Sequence, residues 1–232
     1  MADKFTGMRI TLTKDGPYLI TGSVPVEKAV IGTNADGESW EWGEGEAFEA
    51  GATYALCRCG QTSNAPFCDG SHVTVGFDGT ETASREPYDA QKRVLHGPGL
   101  TLEDAQVFCA GARFCDAVQD VWTAIRRTDD PGTRDRIIGQ VARCPSGRLV
   151  AVDKLTGEPI EPELQPSINV VEDPAAGCSG PLWVRGGVEV QSQGGEAYEV
   201  RNRVTLCRCG QSGNKPFCDG THVTVGFRDG LL

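Results

Sequence analysis

No apolar run in the 232-residue chain approaches the ~18 residues of a membrane-spanning helix, so no membrane partner is expected. Met1 to Val24 has neither the basic start nor the apolar core of a secretory leader, which leaves a reducing, cytoplasmic setting as the expectation. Clustered Lys and Arg are missing too, and with a net charge of -10 the chain lacks the electrostatic footprint of a nucleic-acid binder. There is no Walker loop, no dinucleotide fingerprint after a strand and no nucleophile-base arrangement, so the chain does not read as an enzyme. The acidic stretch Glu38 to Glu46 reads as a solvated hairpin rather than as a docking site for a cationic partner.

Cysteine, by contrast, is abundant: the chain has ten, and six of them fall into a duplicated motif. Cys57, Cys59, Cys68 and His72 recur as Cys207, Cys209, Cys218 and His222, both copies reading C-x-C-x8-C-x3-H. Between Cys57 to Phe77 and Cys207 to Phe227 the copies differ only at Thr62/Ser212, Ser63/Gly213, Ala65/Lys215 and Ser71/Thr221. In a reducing compartment such thiols are metal ligands before they are disulfides, and Cys57 and Cys59 are poorly spaced to bridge each other. Thiolates with one imidazole suit zinc or an iron-sulfur cluster and disfavour hard cations. Structural zinc sites usually pair their ligands as C-x2-4-C, whereas the tighter C-x-C suits an extended segment clasping one iron of a flat [2Fe-2S] rhomb. Spacing alone leaves both metals open.

Cys68 and His72 stand at i, i+4 and share a face if Asp69 to Val73 form a helical turn. Pro66 fixes φ ahead of the ligand, and Gly70 permits close backbone approach. Asp69 either orients the imidazole or caps the short helix. The Val-Thr-Val-Gly-Phe segment after each histidine alternates like a short covering strand.

These residues resemble the signature of the CDGSH iron-sulfur proteins, the mitoNEET-like group, with Thr62 and Pro66 in place in the first copy and Ser212 and Pro216 in the second. The resemblance implies one [2Fe-2S] cluster per copy. Cys57 and Cys59 would hold one iron and Cys68 and His72 the other, and likewise Cys207 and Cys209, Cys218 and His222. Members of the group form homodimers, so two modules in one chain imply an intrachain pseudo-dimer.

The repeat continues upstream, where Gly16 to Gly22 resembles Gly180 to Gly186, each a strand between glycine turns. The N-terminal copy carries an insertion around Ala29 to Glu49, expected in a surface loop. The fold class expected is α+β, with β-rich modules at 1–78 and 167–232, a linker at 79–93 and a central helical domain at 94–166. In the centre, Thr101 to Asp104 resembles a helix capping box. Ala117, Val118, Val121, Trp122 and Ile125 predict one helix; Ile137, Ile138 and Val141 predict a second, stopped at Cys144-Pro145. A further strand is expected at Ile168 to Val171.

Four cysteines lie outside the repeats: Cys109, Cys115, Cys144 and Cys178. The C-x5-C pair followed by Cys-Pro resembles the divergent mono-cluster ferredoxin-like domain that sometimes accompanies CDGSH modules. Cys109, Cys115 and Cys144 alone would hold a [3Fe-4S] cluster, and Cys178 is the candidate fourth ligand for a [4Fe-4S] cluster. The plain alternative is buried free thiols in a core. His96, before Gly97-Pro98-Gly99, reads as a loop histidine.

Clusters of these kinds exchange single electrons, so the expected partners are a redox protein acting as donor or acceptor. The rival expectations are cluster transfer to an apo-protein, redox or pH sensing through the labile histidines, and a zinc-stabilised interaction protein.

Overall fold

The computed structural model describes residues 7–232; the first six residues of the expected N-terminal module and leader reading lie outside them. The N-terminal part runs β1 (Arg9–Leu12), β2 (Tyr18–Thr21), β3 (Val26–Thr33), β4 (Ser39–Ala47), β5 (Thr53–Leu56) and the short helix α1 (Ser71–Thr74). The centre follows with α2 (Tyr88–Gln91), β6 (Arg93–His96), β7 (Leu100–Asp104), α3 (Val121–Ala124), α4 (Pro131–Ala142), β8 (Leu149–Asp153) and β9 (Pro159–Ile160). The C-terminal part comprises β10 (Ser167–Asp173), β11 (Cys178–Arg185), β12 (Glu189–Gln191), β13 (Arg203–Leu206) and α5 (Thr221–Thr224). The result is α+β, rich in strand and sparing in helix.

The two motif-bearing parts exchange strands. One sheet has the order β12-β1-β2-β5, with β1 and β12 parallel, and a second has the order β13-β11-β10-β3-β4, with β10 and β3 parallel. Each part therefore supplies an antiparallel trio; the C-terminal part lends β12 to the first sheet, and the N-terminal part lends the β3-β4 hairpin to the second. The faces turned inward share one core, in which Ile10, Tyr18, Ile20 and Leu56 pack with Ile168, Val170, Leu182, Val184 and Leu206. Each such side chain contributes roughly 1.5–3 kcal/mol of burial, so neither part retains its full core without the other.

Residues 29–49 are consequently not a surface loop. They lie mostly within the β3-β4 hairpin, which completes the second sheet because β3 finds an open edge at β10. The acidic stretch is the hairpin's outer strand, mostly exposed, but Trp42 turns inward and stacks on Trp183 with centroids 4.6 Å apart.

The central segment is less helical than its sequence suggests, since β6-β7-β8-β9 form a third sheet against α3 and α4. Thr101 to Asp104 is strand β7 rather than a helix start. Leu100, Leu102 and Asp104 alternate into the interior, so a period of two prevails over the capping pattern. Only the second half of the Ala117 to Ile125 helix forms: Val118 takes φ +62 and is exposed, and Asp120 caps the chain by accepting from the Thr123 N–H. The α4 helix spans Ile137, Ile138 and Val141 as expected and ends before Cys144-Pro145. The β2, β10 and β11 strands cover their expected positions.

The segments after the two histidines are also not strands. Gly70 and Gly220, at φ +91 and +88, turn the chain into α1 and α5, where Val75 and Val225 donate back to Ser71 and Thr221. Val73 and Val75 remain exposed, without a neighbouring strand to justify extension.

Candidate metal centres

In each repeat the C-x-C pair follows a strand, β5 or β13, and meets the C-x3-H pair across a proline turn. The Cys57 N–H donates to the Pro66 carbonyl and that of Cys207 to the Pro216 carbonyl, at 2.9 and 2.8 Å. Both prolines are cis. Asp69 braces the turn: Oδ1 accepts from the Ser71 N–H, and Oδ2 accepts from the Ser63 N–H and hydroxyl. Asp219 repeats the backbone contacts with Thr221 and Gly213. These contacts brace the loop ahead of each short helix, whose N-cap is Gly70 or Gly220 and carries no side-chain cap bond.

The sulfurs of Cys57 and Cys59 lie 3.7 Å apart, and Cys68 Sγ lies 3.4 Å from His72 Nδ1. The second copy gives 3.8 Å between Cys207 and Cys209 and 3.4 Å between Cys218 Sγ and His222 Nδ1. Two ligands at ordinary metal-sulfur and metal-nitrogen bond lengths around one tetrahedral ion stand about 3.5–3.8 Å apart, so each pair fits a single metal. Among the described residues, however, no three Cys, His, Asp or Glu side chains converge to hold a single metal ion. In each copy the four donors thus stand as two close pairs.

The copies differ in shelter. Cys68 and His72 are half-buried, while Cys218 is buried and His222 is 4% exposed. Burial draws the free His222 imidazole down to about 4 and pushes the Cys218 thiol up. The contact with Cys209 draws the Cys207 thiol down to about 7, while the same contact and burial push the Cys209 thiol up. A bound cation would favour both as thiolates.

The arginine between the paired cysteines was overlooked as a candidate, although its recurrence in both copies signals a role. Arg58 and Arg208 are both buried. Arg58 donates to the carbonyls of Thr13 and Gly79. Arg208 is paired with Glu172 at 2.6 Å and with Asp229, and also donates to the Val171 carbonyl. Tyr18 joins the copies: its hydroxyl donates to the Cys207 carbonyl at 2.8 Å, and its ring lies 5.6 Å from the Arg58 guanidinium.

Cys109, Cys115 and Cys144 line one pocket with Pro145, Ser146 and Arg148. Burial pushes the Cys115 thiol well up, so holding it as thiolate calls for a compensating positive charge. Arg148 is fixed by Asp104, which also accepts from Arg93 and the Trp122 indole. Arg203 donates to the carbonyls of Val141, Ala142 and Cys144, each at 2.8 Å, securing the Cys-Pro turn at the end of α4. Cys178 does not line this pocket; it is buried in β11. His96 is exposed on β6, with Nδ1 3.4 Å from the Thr101 hydroxyl.

Residues 15–73 and 179–223 match the family model for an iron-binding zinc finger of the CDGSH type. Residues 95–154 match that for a divergent 4Fe-4S mono-cluster. No curated protein and no solved structure matches the chain.

Proposed function

We propose, for an iron-sulfur protein that carries two CDGSH-type segments on either side of a divergent 4Fe-4S mono-cluster segment, that it serves in one-electron transfer. The N-terminal [2Fe-2S] cluster is assigned to Cys57, Cys59, Cys68 and His72, and its counterpart to Cys207, Cys209, Cys218 and His222. The observation that carries this is the division of each donor set into two pairs of single-ion spacing with no point shared by three donors. A third cluster is assigned to Cys109, Cys115 and Cys144, with three thiolates favouring [3Fe-4S] because Cys178 lies outside their pocket.

Bound clusters would supply reversible one-electron redox chemistry. The chain's own residues fix the ligands and control water. Asp69 and Asp219 hold the turns carrying the Cys/His pairs, and Arg58 and Arg208 pin the C-x-C loops to backbone carbonyls. The exchanged strands support reading the two parts as an intrachain pseudo-dimer. Partners are then one-electron redox proteins. A potentiometric titration of the full chain followed by visible absorption should show reversible one-electron steps; irreversible bleaching on reduction would oppose this role.

Cluster transfer is the second reading, favoured by the partial exposure of His72. Mixing the holo-chain with an apo-ferredoxin distinguishes it: electron transfer leaves iron with the donor, whereas cluster transfer moves it to the acceptor.

A further inference from the structure

The three cysteine-bearing sites are unequally connected. The two repeated sites touch reciprocally through the glycine after each C-x-C pair. A Cβ added to Gly60 would lie 2.7 Å from the Cys209 carbonyl oxygen, and one added to Gly210 would lie 2.6 Å from that of Cys59. No side chain fits between the two ligand loops. Tyr18 reinforces the contact by donating to the Cys207 carbonyl while its ring packs near Arg58.

The central site meets only one of its neighbours in the same way. A Cβ on Gly220, between Cys218 and His222, would lie 3.4 Å from the Cys109 carbonyl oxygen, and one on Gly111 would lie 3.3 Å from Val223. Ala110, Gly111 and Ala112 line a small pocket together with His222. Asn214, in the loop before Cys218, donates to the Val107 carbonyl, and Phe108 meets Phe217 edge-on at 5.6 Å. The N-terminal site has different surroundings: a Cβ on Gly16 would lie 3.5 Å from His72 Nε2, and Arg58 reaches Thr13 and Gly79. Val73 beside it is 76% exposed, against 38% for Val223 in the second copy.

We infer that the sites form a row in the order Cys109/Cys115/Cys144, then Cys207/Cys209/Cys218/His222, then Cys57/Cys59/Cys68/His72, with the middle site enclosed and the N-terminal site facing solvent. The inference rests on the iron-sulfur reading above. A single electron passed along the row oxidises one site and reduces the next by one, with no bond made or broken. A one-electron protein donor and acceptor complete the balance. The enclosed C-terminal site is the necessary intermediate, and an outside partner reaches the N-terminal site by the His72 face.

The test is EPR on the full chain, reduced anaerobically with dithionite, reading the microwave-power saturation of the two [2Fe-2S] signals. The His72→Cys chain changes one ligand set and so identifies the N-terminal signal. Removing the third centre with Cys109→Ser/Cys144→Ser should lower the half-saturation power of the C-terminal signal severalfold and leave the N-terminal one unchanged. The unsubstituted chain provides an independent check, in which the C-terminal signal should relax faster than the N-terminal one. A change confined to the N-terminal signal, or equal in both, would overturn the order. Two [2Fe-2S] signals without a third centre would overturn both the row and the central assignment while sparing the repeated sites. A colourless chain without iron would instead defeat the iron-sulfur reading itself.

Discussion

At the residue scale, identical motif residues carry different burdens. Arg208 neutralises buried Glu172 and Asp229, whereas Arg58 satisfies carbonyl oxygens. Burial already drives the Glu172 carboxyl upward, and removing the guanidinium would leave it unpaired. Arg208→Met should therefore cost about 3–5 kcal/mol and Arg58→Met about 1–3, read as shifts in the urea midpoint; equal losses would contradict the asymmetry. Solvent access separates the histidines in the same way. Acid bleaching of visible absorption should have two phases, the faster belonging to the half-buried His72 site, and His72→Cys should abolish that phase alone. The ligand candidates were legible in the sequence because each thiol and imidazole recurs at fixed spacing. The roles of Arg203 and Tyr18 were not, because their partners lie 62 and 189 residues away.

Element by element, sequence patterns succeeded where the local period was unopposed. The α4 helix has its Asp130 cap, its apolar positions and a proline stop, and it forms where these signals place it. The valines after each histidine alternate as a strand would, but the left-handed glycine before α1 and α5, with the aspartate bracing the loop ahead of it, closes a helical turn first. The Ala29 to Glu49 insertion looked like a loop because the edge it pairs with, β10, lies more than a hundred residues downstream. Trp42 from this hairpin fills the space between Trp183 and Phe114, at 4.6 and 4.9 Å. Trp42→Ala should lower stability by about 2–4 kcal/mol, measured by urea unfolding; a neutral result would make the hairpin ornamental. Gly60→Ala or Gly210→Ala forces a Cβ against a ligand-loop carbonyl at φ +73 or +76. Each should cost about 1–3 kcal/mol and perturb both [2Fe-2S] signals, whereas perturbation of one alone would contradict the reciprocal contact.

For the whole molecule, the exchange of β12 and β3 binds the first and last thirds of the chain into one core, with the central segment packed beside the C-terminal site. Duplication predicted two modules but not their interleaving, because parallel pairing between distant strands leaves no local trace. The central claim is that two four-residue sites and one three-cysteine site hold iron-sulfur clusters. Its most direct test is anaerobic purification of the full chain with iron, acid-labile sulfide and zinc measured on the same sample used for visible and EPR spectra. The account predicts about seven irons and about eight sulfides per chain, with [2Fe-2S] signals after reduction and a [3Fe-4S] signal when oxidised. Four of each would confine clusters to the repeated sites. Stoichiometric zinc in a colourless chain would contradict the account.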